Sequence, residues 1–171
     1  MAHPPKGMNG RQLFPRFPVA HAIPALAGVR EGGLARAGAA ALSRRMRTHV
    51  WLFAAAGYNV ALALFHLGFW RLFRWREELP KLHPVNRGVL QVVNLMLTFL
   101  FLLLAGLQVL FTAEMTGTAL GRALLAGMML FWILRAVLQP LFWRALPAAT
   151  NAAFVGLFLL GAGLHALAYP S

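Results

Sequence analysis

Four uninterrupted apolar runs, each long enough to cross a bilayer, constrain this chain more than any other feature. They cover residues 48–70, 88–111, 119–143 and 149–169, the third broken near its end by Pro140. About 20 helical residues rising 1.5 Å each cross a hydrocarbon core of about 30 Å, so every run is long enough to span. The runs are continuous rather than alternating, and Leu, Ala and Met favour helix over strand. In lipid a helix satisfies all its backbone polar groups internally. The connections at 71–87, 112–118 and 144–148 are short enough to join antiparallel neighbours. The predicted fold class is an all-α integral membrane protein, an up-down bundle of four transmembrane helices. Composition agrees: 60% of the 171 residues are hydrophobic and 12% charged, about half the charged share of a soluble domain.

Arg122 and Arg135 sit inside the third run. Thirteen residues of helix separate them, about 20 Å. Arg side chains snorkel toward opposite interfaces and cover the remaining thickness. The run therefore spans, with Arg135 reaching the interface or turned into the bundle. Within the runs no internal repeat or heptad pattern is evident. Small residues at four-residue spacing, Gly117 with Gly121 and Ala123 with Gly127, fit either packing within the bundle or a docking face.

Residues 1–45 have a different character. They are Pro/Gly-rich, basic and almost free of acid, which is transit-peptide-like. The domain reading is a tail over 1–45, disordered or lying upstream of a true start at Met46, followed by a transmembrane domain over 46–171. Within the tail, "LARAGAAALSRRMR" suits a short basic amphipathic helix.

What is missing excludes much chemistry. Cysteine and aspartate do not occur, and the only acids are Glu31, Glu77, Glu78 and Glu114. Thiolate metal sites and disulfides are excluded, and Mg²⁺ held on paired carboxylates has almost nothing to bind. Serine occurs only as Ser43 and Ser171, outside the apolar runs, which argues against a Ser-His-acid hydrolase. The leaning is therefore against an enzyme, and no particular cofactor is implied. The net charge of +12 is concentrated before Met46 and between Arg71 and Arg87. Charge at the ends of apolar runs suits anionic lipid rather than nucleic acid.

The positive-inside rule places the 71–87 loop in the cytoplasm, in a multi-pass protein of a bacterial inner membrane. The basic tail on the other side of the first run conflicts with that orientation. Loop residues Arg71, Arg74, Arg76, Lys81 and Arg87 would hold anionic headgroups. His66, Asn94 and Arg135 would line a polar, basic pocket at the same end, where Gln91, Gln139 and Asn151 also fall. An ionisable residue inside a membrane segment, such as His66, is a functional candidate by default. The expected role is binding of an anionic lipid, a small ligand, or a partner membrane protein or second copy. The alternative is a haem- or metal-binding redox component using His66 and His83, with His49 and His165 as a second pair. No HxxxH or HExxH spacing supports it.

Overall fold

The computed structural model describes the backbone of residues 23–170 and the side chains of residues 33–170. The chain divides into two units at residues 40 and 41, and the bundle lies within the second, Ala41–Ser171. The elements are helices α1 (Ile23–Leu67), α2 (Phe69–Leu72) and α3 (Trp75–Glu78), then a 3-10 turn at Leu79–Lys81. Helices α4 (Pro84–Leu110), α5 (Thr112–Gly117), α6 (Ala119–Phe142) and α7 (Ala148–Ala168) follow. The described residues contain no strand. Four helices are long and apolar enough to cross a membrane: Gly33–Leu67 within α1, then α4, α6 and α7. The protein is an all-α bundle of four such helices.

Helix α1 is already formed upstream of residue 48, where the sequence suggested an entry into the first span. From residue 25 to residue 79 the chain has no proline, and Ala-rich stretches such as "ARAGAAALSRR" propagate helix well. Residues 1–22, the rest of the expected tail, lie outside the described residues.

Helix ends follow local chemistry. His83 is the N-cap of α4, its Nδ1 accepting from the Val85 amide at 3.4 Å, with Pro84 at the first helical position. Thr118 caps α6, its Oγ1 accepting from the Gly121 amide at 3.0 Å. Between α1 and α4 the chain does not form an open loop. Arg74 takes a left-handed conformation (φ 50°) that turns the chain between α2 and α3. Strain of that kind costs about 1–3 kcal/mol and persists only where packing enforces it. Burial of Trp75 and Leu79 immediately after the turn supplies that packing.

The buried positions expose a pattern that the apolar runs conceal. On α4 they are Asn94, Thr98, Phe101, Ala105 and Gln108, a strict alternation of four- and three-residue steps. On α6 Gly121, Leu125, Met128 and Trp132 begin the same alternation, which Ala136 and Gln139 extend with one longer step. These are heptad seams, the geometry of helices crossing at about +20°. The expectation of no heptad fails because seam residues here are chemically mixed, while the positions between them are apolar apart from Arg122 and Arg135. Two core clusters result. Tyr58, Phe101, Trp132 and Phe158 centre one, and Leu52, Met115, Leu125 and Ala168 form the other.

Two glycines are required by close approach. A Cβ on Gly161 would meet the Tyr58 ring at 2.7 Å, and that ring's hydroxyl donates to the Leu157 carbonyl at 2.8 Å. A Cβ on Gly121 would collide with the Glu114 carbonyl oxygen. Gly117 and Gly127 have open space around them, so of the small-residue pairs only Gly121 serves packing within the chain.

Candidate functional site

Polar side chains inside this bundle form two layers, both built by hydrogen bonding between helices. The deeper layer centres on Gln108, which is fully buried with Asn59 and His165. His165 lies four residues beyond Gly161 on α7, so its Nδ1–H donates to the Gly161 carbonyl at 2.7 Å. Its Nε2 is then an acceptor, receiving the Gln108 amide at 3.0 Å. Gln108 Oε1 in turn receives the Asn59 amide at 3.1 Å. Each bond in this chain fixes the role of the next, and Asn59 Oδ1 at its end is buried without a partner. Both nitrogens of His165 are engaged, so the pairing of His49 with His165 on a metal would require this network to break.

The second layer opens into a pocket. Asn94 on α4 makes two bonds to His66, its Nδ2 donating to the His66 carbonyl at 3.0 Å. That orients its Oδ1 to accept from His66 Nδ1 at 2.8 Å. A neutral imidazole protonated at Nδ1 leaves Nε2 with a free lone pair, on the ring edge away from Asn94. The ring is stacked on Phe69, centroids 4.5 Å apart and planes 21° apart, which fixes its plane as well.

Arg135 on α6 lines the same pocket as His66, and so does Gln139, one turn further along. The Arg135 guanidinium lies 4.4 Å from the centroid of Phe158 and 5.9 Å from that of Trp143. Among the described residues no carboxylate comes within ion-pair distance of it; the two ion pairs are Arg74 with Glu77 and Lys81 with Glu78. Gln139 Nε2 donates to Asn151 Oδ1 at 3.1 Å, and Asn151 Nδ2 donates to the Trp143 carbonyl at 2.9 Å. This chain fixes the Gln139 amide so that Oε1 is buried without a donor.

The pocket between these groups has a volume of about 240 Å³. Nine of its fifteen lining residues are aromatic, so its walls are apolar and its polar groups few. Phe101, Trp132 and Phe158 stack in series, with planes 16° and 9° apart. An apolar concavity carrying a few convergent polar groups is the usual form of a small-ligand site.

Of the eight site residues named from sequence, the structure brings His66 and Arg135 to the pocket wall and sets Asn94 behind His66. It does not bring the loop cations there. Arg71, Arg74, Arg76 and Lys81 are exposed and Arg87 is half-buried, and none lines the pocket. Two of them are neutralised locally. Lys81 donates to Glu78 at 2.7 Å, and that hydrogen bond holds the Glu78 carboxyl below its ordinary range. His83 serves as a helix cap and also lies off the pocket. Among the described residues, no three His, Cys, Asp or Glu side chains lie close enough to share a metal ion.

Sequence reasoning missed the aromatic walls, because phenylalanines in an apolar run look alike whether they face lipid or a cavity. It also missed Gln108, whose only signal was an amide near the end of the second run.

Protein-family models, curated proteins and solved structures were all compared with this chain, and none matches. The class therefore rests on the fold itself: a multi-pass, all-helical membrane protein with a pocket at one level of its bundle.

Proposed function

We propose that this is a small, non-catalytic membrane protein that binds a lipophilic anion in the pocket between His66, Arg135 and Gln139. The supporting observation is Arg135, a half-buried guanidinium without a counter-ion among the described residues. Placing an Arg within a membrane helix costs up to about 2.5–3.5 kcal/mol on insertion scales, the value at the helix centre. Contacts with aromatic faces return about 0.5–2 kcal/mol. The remainder is offset most directly by an anion, and the aromatic walls require that anion to carry an apolar body. Arg71, Arg76 and Arg87, whose charges have no ion-pair partner among the described residues, would hold anionic headgroups nearby. By the positive-inside rule that face is cytoplasmic, and the membrane would be a bacterial inner membrane.

Tryptophan emission tests the reading, since Trp132 and Trp143 line the pocket. In mild detergent, 11-bromoundecanoate should quench the purified protein saturably, and about tenfold more tightly than the neutral 11-bromoundecanol. Arg135→Gln should remove that difference. Equal affinity of acid and alcohol for the wild-type protein would sink the proposal.

A further inference from the structure

A bare anion would satisfy Arg135 but leave the other side of the pocket unused. Asn94 holds His66 at two points, and the result is an imidazole presenting Nε2 as an acceptor. The ring is half-buried and lines the pocket. Its nitrogen is not among the sealed, unpartnered polar atoms, so a ligand can approach it. Gln139 Oε1 is also an acceptor without a donor, but it is sealed from solvent and offers no approach in this conformation. The accessible polar wall thus consists of one cationic donor, Arg135, and one neutral acceptor, His66.

The walls add a shape. An acyl chain gains nothing from ring orientation, whereas aromatic rings prefer offset-stacked or edge-to-face partners with centroids 4.5–7 Å apart. Phe101, Trp132 and Phe158 already stack at 5.6 and 6.0 Å in near-parallel planes, and Phe158 is the ring beneath Arg135. A flat ring in this pocket has both Arg135 and His66 in the lining around it. One or two fused rings fit a volume of about 240 Å³.

From these observations, and resting on the lipophilic-anion reading above, we propose that the pocket takes a hydroxyaryl carboxylate. Its carboxylate pairs with Arg135, its ring packs against the aromatic walls, and its hydroxyl donates to His66 Nε2. Asn94 is a positioning residue that keeps the acceptor nitrogen turned to the ligand.

Three naphthalene probes test this on the full chain in detergent, again by tryptophan quenching. 6-Hydroxy-2-naphthoate carries both groups, 2-naphthoate lacks the donor, and 2-naphthol lacks the acid. The hydroxy acid should bind about tenfold more tightly than 2-naphthoate, the effect of one hydrogen bond to an otherwise unpaired group. His66→Phe keeps a ring against Phe69 but has no acceptor, so in that variant the two acids should bind alike. Equal binding of the two acids to the wild-type protein overturns the hydroxyaryl assignment while leaving the anion reading intact. The same holds if the preference survives in His66→Phe. If 2-naphthol binds as tightly as the hydroxy acid, the anion reading falls with it. The ligand comparison is made on the wild-type protein, so it stands even if the variant misfolds.

Discussion

At the scale of single residues, the interior of this protein is specified by amides. Asn59, Asn94, Gln108 and Gln139 each hold a position that an apolar side chain would fill by volume alone. Each also fixes the polarity of the next group along, as Gln108 does between Asn59 and His165. Gln108→Leu would strand the Asn59 amide and the His165 Nε2 together. Individual hydrogen bonds between membrane helices average about 0.6 kcal/mol, but an unpaired buried group costs about 1–3 kcal/mol. The expected loss is therefore about 2 kcal/mol, read as a lower midpoint in SDS-driven unfolding from mixed micelles. Gln91→Leu, on the same helix but outside this network, should shift it by a few tenths. Equal shifts for the two variants would mean that the network contributes nothing specific. Sequence made His66 conspicuous because ionisable groups are rare in apolar runs. It could not make Gln108 so, since an amide announces neither its partner nor its face.

At the scale of elements, the lengths of α4, α6 and α7 were legible, but that of α1 and the contact faces were not. The third and fourth runs, 119–143 and 149–169, differ by one residue at an end or two from α6 (Ala119–Phe142) and α7 (Ala148–Ala168). Hydrocarbon thickness sets such lengths, and a break such as Trp143–Pro147 marks them in the chain. Faces are set by partners, and lipid does not force the polar exterior that would reveal them in water. The seam on α4 became readable only once burial singled out Asn94, Thr98 and Gln108 beside Phe101 and Ala105. Glycine shows the same limit, since spacing alone treats Gly121 and Gly127 as equivalent. In the structure a methyl on Gly121 collides with the backbone of Glu114 and Met115, whereas Gly127 has nothing within 4 Å. Gly121→Ala should destabilise by about 1–3 kcal/mol, the range for overpacking that backbone must absorb. Gly127→Ala should be neutral or slightly stabilising through helix propensity. Thermal aggregation midpoints in one detergent would rank the pair, and an innocuous Gly121→Ala would show that α5 and α6 do not pack as closely as described.

At the scale of the whole molecule, the bundle segregates its charges. Leu, Val, Phe and Met side chains dominate the exposed surface of the spans, while cations cluster in the first half of α1 and from Arg71 to Arg87, with Arg135 inside α6. The five basic residues from Arg71 to Arg87 look equivalent in the sequence, and the fold separates them. Arg74 is paired with Glu77 and Lys81 with Glu78, each three residues apart on the exposed surface. Such pairs contribute little to stability, but they cancel the field that an anionic membrane would feel. Arg71, Arg76 and Arg87 have no ion-pair partner among the described residues. A basic residue near an anionic surface is worth about 1 kcal/mol, so neutralising these three should weaken association with phosphatidylserine-rich vesicles by about 3 kcal/mol. Neutralising Arg74 and Lys81 instead leaves Glu77 and Glu78 uncompensated, and should weaken that association by no more than about 2 kcal/mol. Both variants can be reconstituted into neutral nanodiscs and titrated with anionic vesicles at low and at physiological salt. Screening shortens the reach of these charges to about 8 Å at physiological ionic strength, so the contrast between variants should shrink as salt rises. Losses in proportion to the charges removed, three against two, would show that only the net charge of the segment matters. A loss from Arg71, Arg76 and Arg87 beyond that proportion would show that the fold selects which of its cations meet the membrane.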